Sequence, residues 1–237
     1  MFSSRKNPAI RKYSHGQMSE SILTAALLSV SGGLQDAYTY VFRGKVFANA
    51  QTGNIVLLSQ NLLDHNWSKA IHYFVPLISF AMGVVVAEWI RETFLNARNL
   101  HWRQIVLLNE LILLFIVGLL PQSFDILANA MVSFSCAMQV QSFRKVTGYA
   151  FSSTMCIGNM RSGMEAFFMY FRTHDDNMLK KAARYWEIIF LFAAGSGLGG
   201  QLVLKLGAYT IWVSCIFLFL CIGLMFIHRS DIKIQRN

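Results

Sequence analysis

Six stretches of the chain stay apolar for 17 to 22 residues at a time, and that length constrains the fold more than any other feature. A helix rises about 1.5 Å per residue, so roughly 20 residues cross the hydrocarbon core of a bilayer. The stretches are 21–42, 71–90, 104–120, 125–143, 185–204 and 208–228. Outside them lie all 21 basic residues and 7 of the 12 acidic ones, charged residues making up 14% of the chain against roughly 25% in soluble domains. A soluble globular domain needs a charged shell that this chain lacks. An all-α polytopic membrane protein is the fold class that remains.

The formal charge of +9 invites a nucleic-acid reading. The distribution of that charge favours a membrane protein instead, because Lys and Arg collect in loops on the cytoplasmic side. With six spans and the N-terminus inside, the inner segments hold 17 of the 21 basic residues and the outer loops, with Arg43, Lys45, Lys69 and Lys205, hold 4. The expectation is therefore a multi-pass protein with no nucleic-acid partner. Its N-tail (1–19) and C-tail (229–237) are both placed in the cytoplasm.

Two shorter apolar stretches, 53–63 and 158–171, cover only part of a bilayer. They read as half-helices that re-enter the membrane, the alternative being amphipathic helices lying at its surface. They also belong to an internal repeat. Leu34-Gln35-Asp36 matches Val140-Gln141-Ser142, Val46-Phe47 matches Ala150-Phe151, and Gly53-Asn54 matches Gly158-Asn159, with small gaps. Each unit, 20–121 and 125–228, reads as span, half-helix, span, span. Three crossings are an odd number, so the second unit must enter from the opposite face. Two inverted three-span repeats are the plan of many secondary transporters, whose sites lie at mid-membrane where helices are interrupted.

The run Gly32-Gly33-Leu34-Gln35-Asp36-Ala37, followed by Gly44, Val46-Phe47 and Thr52-Gly53-Asn54, resembles the YoaK-type family of uncharacterised bacterial multi-pass membrane proteins. The resemblance covers the whole chain and implies a bacterial cytoplasmic membrane location without implying an activity. In the second half such proteins tend to carry Met-x-x-Gln-Asn-Ala and then Thr-Gly, where this chain has Ser142 for the Asn and Ile157 for the Thr.

Asp36 is the sharpest candidate, an ionisable carboxyl about fifteen residues into the first span. Such groups are costly in lipid and mark pathways or relays, so Asp36 reads as a proton or cation coupling group. Gly32 and Gly33 read as helix breaks that free carbonyls for a ligand. Thr52, Gly53 and Asn54, and Gly158 and Asn159, read as helix starts whose amides hold a polar or anionic solute, with Arg161 adding charge. Gln35, Gln141 and Ser142 would line the same cavity. Glu110, six residues into the third span, is expected near the interface and partly hydrated. Arg161 with Glu165, and Glu88 with Arg91, are at ion-pair spacing.

No HExxH, GxSxG or Walker pattern occurs, and Cys136, Cys156, Cys215 and Cys221 show no ligand spacing. No metal, cofactor or enzymatic activity is expected. The expected partners are the lipid bilayer and a small polar or anionic solute. The reading is a secondary transporter, with a non-transporting scaffold or partner subunit as the alternative.

Overall fold

The computed structural model describes residues 21–95, 101–146 and 149–234, without the side chains of 145–150 or of 227 onward. The N-tail lies outside the described residues. Eight helices follow one another: α1 Ile22–Phe42, α2 Gln51–Leu63, α3 Trp67–Phe94, α4 Trp102–Leu119, α5 Asp125–Ser142, α6 Cys156–Thr173, α7 Asp176–Leu206 and α8 Ile211–Ile234. A two-residue antiparallel pair, Lys145–Val146 with Tyr149–Ala150, sits between α5 and α6. Local chemistry sets several helix starts. Ser21 accepts the Thr24 amide at α1, Asn66 that of Lys69 at α3, and Asp175 that of Asn177 at α7, while His101 and Gln104 form a reciprocal cap at α4.

Among the described residues, three segments are long and apolar enough to cross a membrane: Trp67–Phe94, Trp102–Leu119 and the 51-residue Asp176–Phe226. The last contains α7, a 3-10 turn at Gly207–Thr210 and most of α8. Their outward faces are apolar, with Val85 69% and Phe190 73% exposed. Helices α1 and α5, at 21 and 18 residues, have the length but carry many polar side chains. Those side chains face protein. Ser29, Ser31, Gln35 and Thr39 on α1 and Asn129, Ser133, Ser135 and Gln139 on α5 are fully buried. Ser29 and Thr39 donate back to the carbonyls one turn earlier, at 2.8 and 3.1 Å, so burial leaves their hydroxyls satisfied.

Cross-contacts fix the relative directions of six helices. Gly195 and Gly199 on α7 meet Val30 and Leu34, so α7 runs parallel to α1. Ser214 and Cys221 on α8 approach the Ser31 and Thr24 carbonyls, so α8 runs antiparallel to it. Gln35 bonds Glu110, and Arg43 bonds the Val117 and Leu120 carbonyls, so α4 is parallel to α1. Asn129 reaches the Arg43 carbonyl, Cys136 reaches Gln35 and Gln139 reaches the Leu28 carbonyl, which makes α5 antiparallel. Gly83 lies against Phe134 and Ala137, and Glu88 against Gln141, so α3 runs with α5. Thus α1, α4 and α7 point one way and α3, α5 and α8 the other. Packing pairs α1 with α7 and α3 with α5, α2 with α3 and α6 with α7, α1 with α8 and α4 with α5. The central apolar core joins α1, α4, α5 and α8 through Leu28, Leu107, Leu114, Val132, Ile211 and Leu218.

The structure corrects several expectations. Helix α1 is continuous through Gly32 and Gly33, so neither is a break. A methyl group on Gly33 would collide with the Phe192 carbonyl of α7. The missing side chain therefore serves close backbone approach, as the glycines of α7 do. Arg43, assigned to an outer loop, is fully buried. It donates to Tyr38 Oη (2.8 Å), Asp125 Oδ1 (2.9 Å) and the Val117 and Leu120 carbonyls. Helix α8 continues to Ile234, into the stretch assigned to the C-tail.

Candidate functional site

Beyond its Arg43 cap, the chain does not leave α1 outward but turns back along it. Asn49 donates its backbone amide to Asp36 Oδ1 at 2.7 Å and its side-chain amide to the Gly32 carbonyl at 3.4 Å. Gly32 and Asp36 lie in the middle of α1, so the amino end of α2, two residues beyond Asn49, starts at mid-helix depth. The second linker arrives at the same place. The Thr154 methyl group occupies the space that a side chain on Gly32 would need, and α6 begins two residues later. Both short helices thus open beside Gly32 and Asp36, the carboxyl only 6% exposed. Helix amino ends carry unpaired amides and partial positive charge, which suits a carboxylate or another polar oxygen.

Two asparagines hold these linkers in matching fashion. Asn54 on α2 accepts the Phe47 amide at 3.0 Å and donates to the Phe47 carbonyl at 2.6 Å. Asn159 on α6 accepts the Ser152 amide at 3.5 Å and donates to the Ser152 carbonyl at 2.7 Å. Each side chain pairs with both backbone groups of the residue seven positions earlier, as a strand neighbour would. Asn49 and Thr154 each stand five positions before that asparagine.

A second polar layer lies behind Asp36. Gln35 donates from Nε2 to Ser31 Oγ (3.1 Å) and to Glu110 Oε1 (3.0 Å), and accepts Cys136 Sγ on Oε1 (2.8 Å). Glu110 is fully buried, not at the interface. Its Oε2 has no partner, nor do Gln139 Oε1, Asn49 Oδ1 and Ser133 Oγ. Leu28, Gly32, Gln35, Asp36 and Thr39 repeat at helical spacing along one face of α1, so these groups gather on a single side of that helix.

The sequence-predicted residues divide accordingly. Gln35, Asp36, Asn54 and Asn159 belong to this centre or brace it. Gln141 does not; its amide bonds Glu88, which also pairs with Arg91 (2.9 Å) and Arg144 (3.4 Å) near the ends of α3 and α5. Ser142 is the last residue of α5, where its carbonyl accepts Arg103 Nε at 3.0 Å, whereas Asp36 lies six residues before the end of α1. Those two positions are not equivalent. Thr52 and Gly158 are exposed within the first turns of α2 and α6, and Gly53 rests on the Phe47 ring. The residues that precede the two helices are Ala50 and Met155, neither with a side-chain cap, so Thr52 caps nothing. Arg161 is exposed on α6 and makes no ion pair with Glu165 among the described residues, so it adds no charge to the centre. Sequence reasoning missed Asn49, Cys136, Gln139 and the burial of Glu110. A lone carboxyl inside an apolar run was the available signal for Glu110.

Comparison with known proteins matches residues 24–224 to the model of a family described as protein of unknown function (DUF1275). The chain belongs to the DUF1275 family. A curated relative of this DUF1275 protein is the UPF0700 transmembrane protein YoaK of Bacillus subtilis (strain 168). It is 25% identical over 206 residues, which cover 82% of this chain and 89% of YoaK. No solved structure matches the DUF1275 chain. Membership in DUF1275, a relative named as a transmembrane protein and three membrane-length apolar segments together make this a membrane protein.

Proposed function

We propose that the protein is a non-enzymatic secondary transporter of a small polar solute, coupled to a proton or other cation. It would sit in the bacterial cytoplasmic membrane with both termini inside. The observation that carries this reading is the meeting of two short-helix amino ends at Asp36 in the middle of α1. Non-helical backbone at membrane depth is tolerated where it lines a protein-enclosed site, and such sites bind solute in inverted-repeat transporters.

The directions and partners of the helices support six crossings in two inverted units. Exchanging α1 for α5, α2 for α6, α3 for α7 and α4 for α8 turns each packing pair into another. Each exchanged crossing helix also points the opposite way. The shared asparagine bridge favours the same correspondence, with the hairpin at 145–150 lengthening the second linker. Cytoplasmic termini follow from the basic residues around 91–103 and 144–184. With Arg161 on the outside of α6, no basic side chain among the described residues pairs with Asp36, so a neutral or cationic solute suits the centre better than an anionic one.

The test is solute-driven pH change inside proteoliposomes loaded with a pH-sensitive dye, across amino acids, sugars, nucleosides and amines. Asp36→Asn should abolish the response while the protein elutes as wild type. A non-transporting scaffold is the second reading, and the bond from the Asn49 amide to Asp36 favours it. Flux that survives Asp36→Asn, with loss only of thermal stability, would assign Asp36 to that structural role.

A further inference from the structure

The two buried carboxyl groups of the centre are held in different ways. Asp36 accepts a short backbone bond from Asn49 at the amino end of α2, where fixed amides and the helix dipole favour its negative charge. Glu110 has no such support. Its one partner is the neutral side-chain amide of Gln35, its second oxygen is unpaired, and the residue is fully buried.

The titratable groups that face Glu110 among the described residues offer no compensating charge. They are Cys136 on α5 and Cys215 and Cys221 on α8, with Asp36 next to Gln35 on α1, every one neutral or anionic. Three basic residues at the ends of neighbouring elements are committed elsewhere. Arg43 pairs with Asp125, Arg91 with Glu88, and Arg103 donates to the Ser142 carbonyl. A carboxylate in this setting costs several kcal/mol unless a positive charge accompanies it. Unpartnered acceptors occur on the neighbouring α5 and on the linker before α2. Gln139 Oε1 is fully buried, with Gln139 held to α1 through the Leu28 carbonyl, and Asn49 is held through the Gly32 carbonyl one turn along.

We propose that Glu110 is an exchangeable site for one monovalent positive charge, a proton or a sodium-class cation, with Gln35 positioning the carboxyl and Gln139 and Asn49 supplying further oxygens. Asp36 is then the polar anchor of the α2 linker beside the solute. The division deepens the transport reading and rests on it for its physiological sense. Binding is measured without flux, so failure here is distinguishable from failure of transport.

The experiment follows purified full-length protein in detergent by thermal unfolding, varying pH and, separately, sodium chloride against choline chloride at constant ionic strength. If the proton is the charge, the native state binds more protons than the unfolded chain, so stability falls as pH rises. Wild-type Tm should then drop by roughly 5 °C between about pH 6 and pH 9. If a cation is the charge, Tm should rise with sodium and not with choline. Glu110→Gln, which imitates the neutralised state, should flatten whichever response occurs, and Glu165→Gln, an exposed carboxyl on α6 outside the centre, should leave it in place. A measurement on wild type guards against a variant that fails to fold. Dicyclohexylcarbodiimide, an apolar reagent for protonated carboxyls, should label Glu110 faster at lower pH, and sodium should protect it if sodium binds. Responses unchanged in Glu110→Gln, or abolished by Glu165→Gln, would overturn the assignment, as would labelling of Asp36 in preference to Glu110.

Discussion

Helices α1 and α5 differ from the helices around them in where their polarity points. Along α3, α4, α7 and α8 the exposed side is apolar, with Val85, Leu119, Phe190 and Leu204 outward. Along α1 and α5 the hydroxyls, amides and one carboxyl face inward, and most residues of both helices are buried. Lipid is as apolar as leucine, so outer positions tolerate any apolar residue, whereas inner polar positions need matched partners. The strongest apolar windows therefore lie on the outer helices, while α1 and α5, long enough to span, are diluted by the polar residues that carry the site.

Substitutions can break or sharpen that contrast, measured as resistance to unfolding by heat or denaturing detergent. Arg43→Ala should be the most damaging, by about 3–5 kcal/mol, because it strands the Asp125 carboxylate and several carbonyls. Gly33→Ala should cost about 1–3 kcal/mol by pushing α1 from α7 at the Phe192 carbonyl. Asn54→Ala and Asn159→Ala should each cost about 1–3 kcal/mol by leaving an amide and a carbonyl unpaired. Asn54 should be the more costly of the two, since it also bonds Gln51 at 2.8 Å and its pair with Phe47 is shorter. Val85→Ala on the lipid face should change stability by no more than about 0.5 kcal/mol. A Val85 variant as unstable as the Arg43 variant would erase the distinction between inner and outer helices.

The same contrast explains what could be read from the residues alone. Apolar runs lie within two residues of the bounds of α1, α4 and α5, whereas α7 begins nine residues before its run and α8 continues six beyond its own, because a helix can extend past its apolar stretch. Asp36 stood out because a carboxyl within such a run is rare. Helical period gives a side chain its face, though not its neighbour. Thus Gln141 pairs with Glu88 instead of joining Asp36, and Glu110 lies in the protein centre despite its place early in α4. Arg43 was misplaced for a related reason. Charge counting treats every basic residue between spans as loop, but this one caps its helix from inside. The glycines were recognised as special for the wrong mechanism, since a pair without side chains permits either a bend or a close crossing.

That close crossing limits how the molecule can move. With backbone against backbone at Gly33, Gly195 and Gly199, α1 and α7 have no side-chain cushion on which to slide and must travel as one rigid body. Gly83 binds α3 to α5 in the same way. Between these two bodies the contact is made by side chains, with Gln35 meeting Cys136. Any rocking of one body on the other would pry at the hydrogen bonds around Glu110 first.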